Sequence, residues 1–238
     1  MSTLGVVIFN RQGMKHLAQC LESVQWADAI KVLDSGDSDG WSVTPKRIQD
    51  LSEEMTTDWV LHLWGEESVE GKLAAELRAL CRRELSMAAT CYRITIRSYL
   101  LGRWVEGSLW GPSPSLRLSR RVEGIPAGWW DAAKRSRDAP SLPEGWIGDY
   151  SAVELSDGLD RLNGLSTLWA GRLRVRGESP GPAAMTFYPF GVFFQLLWKN
   201  GVFSRGLAGL TISILAAYVT LLTSAKLWEK NHAKTATK

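Results

Sequence analysis

Apolar and polar positions alternate between two periodicities along this chain, and their order predicts an α/β fold. Leu4-Gly5-Val6-Val7-Ile8-Phe9 is a short continuous apolar run, the pattern of a buried strand. Asn10-Arg11-Gln12-Gly13 reads as a turn, after which Met14, Leu17, Ala18, Leu21 and Val24 recur at helical spacing. Ala29-Ile30-Lys31-Val32-Leu33 reads as a second strand. Strand, helix and strand within about 30 residues form a βαβ unit, which implies parallel strands joined by a right-handed crossover. Ligands of such sheets bind outside the carboxyl ends of the strands. Asn10 and Asp34 both fall there.

The pattern continues with a short helix over Lys46 to Met55 and a third strand over Asp58 to Leu63. Glu70 to Leu85 predicts a strong helix, with Leu73, Ala74, Leu77 and Leu80 on one face. Cys91 to Arg97 and Ser115 to Ser119 alternate apolar with polar residues, as strands with one solvated face do. From Val122 to Leu155 Gly, Pro and Trp dominate and no element is predicted. Asp157 to Arg176 returns to a helical pattern.

At Ser179-Pro180-Gly181-Pro182 the composition shifts, dividing the chain into a domain over 1–178 and a C-terminal region over 179–238. Phe187 to Trp198 is almost wholly apolar and aromatic. Leu207 to Ala225 has no charged residue and is bracketed by Arg205 and Lys226. As a helix it spans roughly 28 Å, close to a bilayer core. A buried helix of a soluble protein is the competing reading. The flanking cations and the aromatic run favour a membrane-associating region.

Composition refines this picture only slightly. The 238 residues are 22 % charged and 45 % apolar, ordinary for a packed core. A net charge of +3 is too small to suggest a nucleic-acid partner. The tail is more basic: Lys226, Lys230, Lys234 and Lys238 stand against Glu229. Cys20, Cys81 and Cys91 have no metal-like spacing and read as reduced thiols in a cytoplasmic setting, or as small buried hydrophobes. The 12 Trp residues suit sites with one apolar and one wet side, such as membrane interfaces and sugar clefts, although core packing explains many.

The candidate chemistry begins at Asp34-Ser35-Gly36-Asp37-Ser38-Asp39-Gly40, directly after the second strand. It presents acids where an α/β sheet would meet a nucleotide. Asp34 and Asp39 are nucleotide-binding candidates, or caps of turns in a Gly-rich loop. His16, His62 and His232 form no triad-like or metal-like constellation and read as structural or exposed.

Several stretches together carry a family likeness. Val6-Val7-Ile8-Phe9-Asn10 is a first strand of the right type. Cys20 to Asp28 is close to "CLESVKWADEI", and Val32 to Gly40 to "VVDSGSTDG". Thr57 to Leu61 is close to "GDWVL". Leu101-Gly102-Arg103-Trp104, Trp110 and Leu116 to Arg121 follow "LGRW…W…LRLFRR", and Ala225 to Glu229 follows "AKLWE". In these stretches the chain resembles the family 2 glycosyltransferases, most closely the bacterial branch that builds lipopolysaccharide core and related surface glycans. The resemblance implies a Rossmann-like GT-A domain that binds a nucleotide-sugar. Departures are equally specific. The family usually carries a longer connection between the second and third strands, so this domain looks truncated there. Its metal motif "DADE" falls on Leu63-Trp64-Gly65-Glu66-Glu67 or, counted from the strand, on Trp64-Gly65-Glu66, with Trp64 in place of the first acid, and its "VHE" segment has no clear counterpart after Arg121.

The resemblance implies roles for particular residues. Asn10, Asp34 and Asp39 would hold the nucleotide. Arg117 and Arg120, with Arg121, would neutralise a diphosphate, since Arg suits phosphate geometry; an exposed basic strand edge is the alternative. Glu66 and Glu67 would ligate a divalent metal, Mn²⁺ or Mg²⁺, or else sit as exposed acids at a helix N-terminus. Glu123 and Asp131 are the sequence-local candidates for the general base of an inverting transfer. Two functions remain: a glycosyltransferase acting on a lipid-linked or lipopolysaccharide acceptor, and an inactive homologue serving as a structural partner in a membrane assembly. A nucleotide-sugar domain and the basic tail both belong in the cytoplasm. That predicts a hairpin or interfacial attachment at the cytoplasmic face of the bacterial membrane, where a protein partner or a second copy could also dock.

Overall fold

The computed structural model describes residues 2–11, 14–35, 54–82, 89–100, 102–106, 113–121, 139–199 and 206–232. The chain is a mixed α/β protein that divides into two compact units, Met1–Ala152 and Val153–Lys238. The composition break at Ser179 lies inside the second unit.

The first unit is built on a five-stranded sheet. It comprises β1 (Leu4–Arg11), β2 (Ala29–Ser35), β3 (Trp59–Trp64), β5 (Cys91–Ile94) and β8 (Ser115–Arg120), in the order β2-β1-β3-β8-β5. β1 pairs in parallel with β2 and β3, while β8 runs antiparallel to β3 and β5. The chain steps outward from β1 to β2 and then returns to the other side of β1. The strand order therefore reverses beside β1, and the carboxyl ends of β1 and β3 flank that crevice.

β1 carries six consecutive buried residues because both its faces are covered. Val6 and Ile8 face the main core, with Trp59, Leu61 and Leu63 of β3 and Leu118 of β8. Helix α1 (Leu17–Ser23) and helix α2 (Gly71–Arg82) contribute Cys20, Leu73, Leu77 and Leu80 to the same core. Val7, Phe9, Val60 and Met55 form a smaller cluster on the opposite face. The predicted α2 face is thus the buried one.

A second sheet has four strands: β4 (Glu67–Val69), β6 (Ile96–Leu100), β7 (Arg103–Glu106) and β9 (Ile147–Asp149), in the order β4-β9-β6-β7. The single strand expected over Cys91 to Arg97 is two strands in two sheets. At Thr95 the chain leaves the first sheet for the second: the Thr95 carbonyl accepts from the Ile147 amide at 2.9 Å. Alternation continues unbroken through the crossing, so the pattern gives no sign of it.

The second unit contains helices α3 (Leu155–Val175), α4 (Pro182–Lys199) and α5 (Leu207–His232), with α5 packed against both α3 and α4. The Lys226 Nζ on α5 lies 2.6–2.8 Å from the Asn163 carbonyl, Asn163 Oδ1, Ser166 Oγ and Thr167 Oγ1 of α3, which share its three N–H donors. Ser213 and Thr223, buried in α5, donate to the carbonyls of Gly209 and Val219 one turn earlier. The outer faces stay apolar: Phe187, Tyr188, Phe190, Phe194 and Trp198 of α4 are exposed, as are Leu207, Ile214 and Leu221 of α5. Among the described residues α5 alone is long and apolar enough to cross a membrane, by length and composition.

His62, in the middle of β3, gives the core of the first unit a pH dependence. Burial, reinforced by the neighbouring Arg117 guanidinium, pushes its imidazole down to about 3. The folded state therefore keeps the ring neutral, whereas the unfolded chain takes up a proton below about pH 6.5. The unfolded state binds more protons in that window, so stability falls as the pH drops from 6.5 toward 3. By pH 5 the loss is about 2 kcal/mol. His62→Gln keeps a polar partner for Ser119 but cannot titrate. Thermal unfolding followed by circular dichroism at pH 7.5 and 5 will show a larger drop in Tm for the wild type than for His62→Gln. Equal drops would contradict this account.

Candidate functional site

Two of the predicted ligand-binding positions, Asn10 and Asp34, meet at the carboxyl ends of the parallel strands β1 and β2. The register sets Asn10 beside Asp34 and Phe9 beside Trp64. Asn10 Nδ2 donates to Asp34 Oδ1 at 2.6 Å, which fixes the direction of an exposed carboxylate. β3 leaves the sheet at Gly65, whose amide donates to the Phe9 carbonyl at 2.9 Å. A Cβ at Gly65 would lie 3.0 Å from Asn10 Oδ1 and 3.1 Å from Met14 Sδ, so the missing side chain lets the strand exit press against Asn10. Glu66 follows in the turn, buried, and its carbonyl accepts from the Tyr150 amide at 2.9 Å.

Glu67 and Arg117 have a different place from the one expected. Neither is exposed: their side chains are 2 % and 6 % accessible. Arg117 clamps the carboxylate from two sides, Nη2 to Oε1 at 2.6 Å and Nη1 to Oε2 at 2.9 Å. The Trp64 amide adds a third bond to Oε2 at 2.9 Å, and Arg117 Nε donates to Ser115 Oγ at 3.0 Å. The expected basic strand edge is thus corrected, since β8 lies between β3 and β5 and its Arg117 points into the interior. The Glu67 carboxylate is held by an arginine fork and an amide, which is a structural anchor rather than an open metal ligand. Burial, reinforced by the same carboxylate, pushes the Cys20 thiol up to about 12.

Arg120 needs a second correction. It pairs in register with Trp59, at the amino end of β3, and its guanidinium stacks over the Trp59 ring at 5.4 Å. The antiparallel return of β8 carries it about 20 Å along the strand from the Asn10–Asp34 pair. It is not brought to the site. Asp39, Glu123 and Asp131 lie outside the described residues. Among the described residues no group of three or more His, Cys, Asp or Glu side chains is placed to hold a metal ion.

Sequence reasoning missed Asp149. It lies at the end of β9 in register with Glu67 on one side and Ser98 on the other. The three form a buried polar row that continues the apolar row of Val69, Ile147 and Ile96. Asp149 Oδ2 accepts from Ser98 Oγ at 3.3 Å, and Oδ1 accepts from the Ser151 amide at 3.0 Å and from the Ser151 hydroxyl. These bonds turn the chain sharply after β9 and bring the Tyr150 amide to Glu66. The available sequence signal was the alternation Trp146-Ile147-Gly148-Asp149-Tyr150, hidden in a Gly- and Trp-rich stretch.

Removing one partner of the Glu67–Arg117 pair leaves a buried charge without compensation, which costs about 3–5 kcal/mol. Removing both charges together costs less than the sum. Glu67→Ala and Arg117→Ala will each lower the denaturant midpoint strongly, and Glu67→Leu combined with Arg117→Met will recover part of the loss. Single-variant losses below about 1 kcal/mol would contradict a buried, desolvated pair.

No protein-family model matches the chain. It is 23 % identical over 248 residues to the lipopolysaccharide core biosynthesis glycosyltransferase LpsC of Rhizobium meliloti (strain 1021), across 92 % of this chain and 89 % of that protein. Among solved structures, S. aureus TarS 1-349 is similar at 9 % identity over 98 % of this chain and 92 % of that one, with a TM-score of 0.44. TarS 1-349 in complex with UDP is similar at 10 % identity over 99 % and 92 %, with a TM-score of 0.43. The likeness to glycosyltransferases of lipopolysaccharide core biosynthesis, carried in the sequence by scattered motifs, extends in LpsC along nearly the whole of both chains.

Proposed function

We propose that the protein is a glycosyltransferase that moves a sugar from a nucleotide-sugar donor to a lipid-linked or lipopolysaccharide acceptor at the cytoplasmic face of the bacterial membrane. One observation carries the reading: the oriented Asn10–Asp34 pair lies beside the crevice at the strand-order reversal, with Gly65, one residue before Glu66, pressed against Asn10, in a chain similar along its length to LpsC. An exposed carboxylate at that crevice accepts hydrogen bonds from ribose hydroxyls or base amines. In the transfer, the acceptor oxygen bonds to the anomeric carbon as the bond to the diphosphate breaks, and the acceptor proton leaves to a base. Glu123 and Asp131 are the proposed bases.

A divalent cation, if bound, would supply charge neutralisation for the diphosphate leaving group. The described side chains do not compose such a site by themselves, because Glu67 is anchored by Arg117. Glu66 is the protein ligand this reading assigns. The exposed aromatic face of α4 and the apolar length of α5 support attachment to the membrane.

The same anchoring of Glu67, with Trp64 where the family motif has an acid, favours a second reading: an inactive homologue that keeps the fold as a partner in a membrane assembly. Transfer of labelled sugar from a panel of nucleotide-sugars to bacterial lipid and lipopolysaccharide fractions separates the two. The first reading expects turnover by the wild type and a loss of about a hundredfold or more in Asp34→Ala and Glu66→Ala variants that still fold. Full activity in Glu66→Ala would remove the metal role, and a wild type silent with every donor would leave the second reading.

A further inference from the structure

One face of the second sheet is rich in aromatic side chains, and parity places them there. Trp146, Gly148 and Tyr150 alternate with the buried Ile147 and Asp149, so they share the face turned away from the polar row. Arg97 and Tyr99 alternate in the same way with the buried Ile96, Ser98 and Leu100 of β6. Tyr99 lies opposite Trp104 of β7 in the ladder. The rings meet: Trp104 is 5.2 Å from Tyr99, 5.1 Å from Tyr150 and 4.5 Å from Trp146 between centroids, each edge to face. Arg97 stacks over Trp146 at 5.3 Å. A Cβ at Gly148 would come within 2.9 Å of Trp104 Cη2 and 3.0 Å of Trp146 Cζ3, so this position is left bare for the two indoles to close over the sheet.

The cluster is not sealed in the core. Trp104 remains 37 % exposed, and Tyr99, Trp146 and Tyr150 are half-buried. It is also continuous with the candidate site. The Tyr150 amide holds the Glu66 carbonyl, and the Tyr150 ring is 5.6 Å from His16, just after the exit of β1. A wet face of Trp and Tyr beside an acid-lined crevice differs chemically from an aliphatic docking patch. The negative ring faces attract the weakly positive C–H groups along one side of a pyranose, while the phenol and indole tips and Arg97 offer hydrogen bonds to its hydroxyls.

We infer that this face is the acceptor subsite, where a pyranose ring of the acceptor glycan stacks on Trp104 and Tyr150 beside the donor crevice. The inference rests on the glycosyltransferase reading for the word acceptor, and on the aromatic geometry for the sugar. The platform then positions the acceptor ring without contributing to the nucleotide pocket around Asp34.

The test uses the full-length detergent-purified protein and two probes: a panel of methyl hexopyranosides with deacylated core oligosaccharide, followed by saturation-transfer NMR, and UDP, followed by calorimetry. The expected result is saturation transfer to at least one pyranoside, weakened roughly tenfold or more in Trp104→Ala and in Tyr150→Ala, with UDP affinity unchanged. Trp104→Phe, which keeps a ring, restores most of the signal and shows that a folded variant was measured. Sugar binding that survives both alanine variants, or a wild type that transfers saturation to no pyranoside, overturns the inference. Loss of UDP affinity together with sugar binding in folded variants also overturns it, since the rings would then belong to the donor pocket. Trp104-dependent sugar binding in a protein that binds no UDP would uphold the platform while removing the donor reading.

Discussion

The buried ion pair between Glu67 and Arg117 is the constraint on which the first unit depends. Glu67 opens a strand of the second sheet, and Arg117 lies in the interior of the first. Two-point contact between a planar guanidinium and a carboxylate admits one geometry, so the pair fixes how the two sheets meet. Desolvating both charges is costly, and three further hydrogen bonds, from the Trp64 amide and to Ser115 and the His62 carbonyl, offset that cost. Glu66, one residue before the anchor, is held in the turn that the anchor creates. The neutral state of His62 follows from the same burial and the same cation.

From this anchor the polar and aromatic faces of the second sheet follow by parity. Glu67, Asp149 and Ser98 share one row and one face, and each acid is satisfied by its own donors. The opposite face is left to Trp146, Tyr150, Tyr99 and Trp104. The two faces meet at Tyr150, whose amide ties the sheet to the Glu66 turn. The site proposed for the nucleotide and the platform proposed for the acceptor are thus neighbours through a single backbone bond.

How far the fold was legible depended on the kind of signal each element carries. β1 and β3 are continuous apolar runs because they are covered on both faces, β2 is an edge strand still rich in apolar residues although Ile30 and Val32 are exposed, and α2 repeats its leucines at helical spacing, so all four were readable. The break between β5 and β6 was not, because alternation passes through Thr95 while the chain changes sheets. β9 is three residues long and stabilised by its neighbours, so no local pattern announces it. At the site, Asn10 and Asp34 were legible because a βαβ unit places strand ends together. Arg120 was misplaced because the antiparallel direction of β8 is a tertiary fact. Arg117 and Glu67 were each read as ligand-facing, since nothing in sequence distance indicates that residues fifty apart neutralise one another.

The central claim is that a nucleotide pocket survives around Asp34 and Glu66 although Glu67 has been drawn into the fold. Calorimetric titration of the detergent-purified protein with UDP and other nucleoside diphosphates, with and without Mn²⁺, tests it most directly. The account predicts saturable binding of at least one nucleoside diphosphate, tighter when Mn²⁺ is present. No heat of binding with any nucleotide, in either condition, would contradict it and leave a mixed α/β fold retained for its surfaces alone.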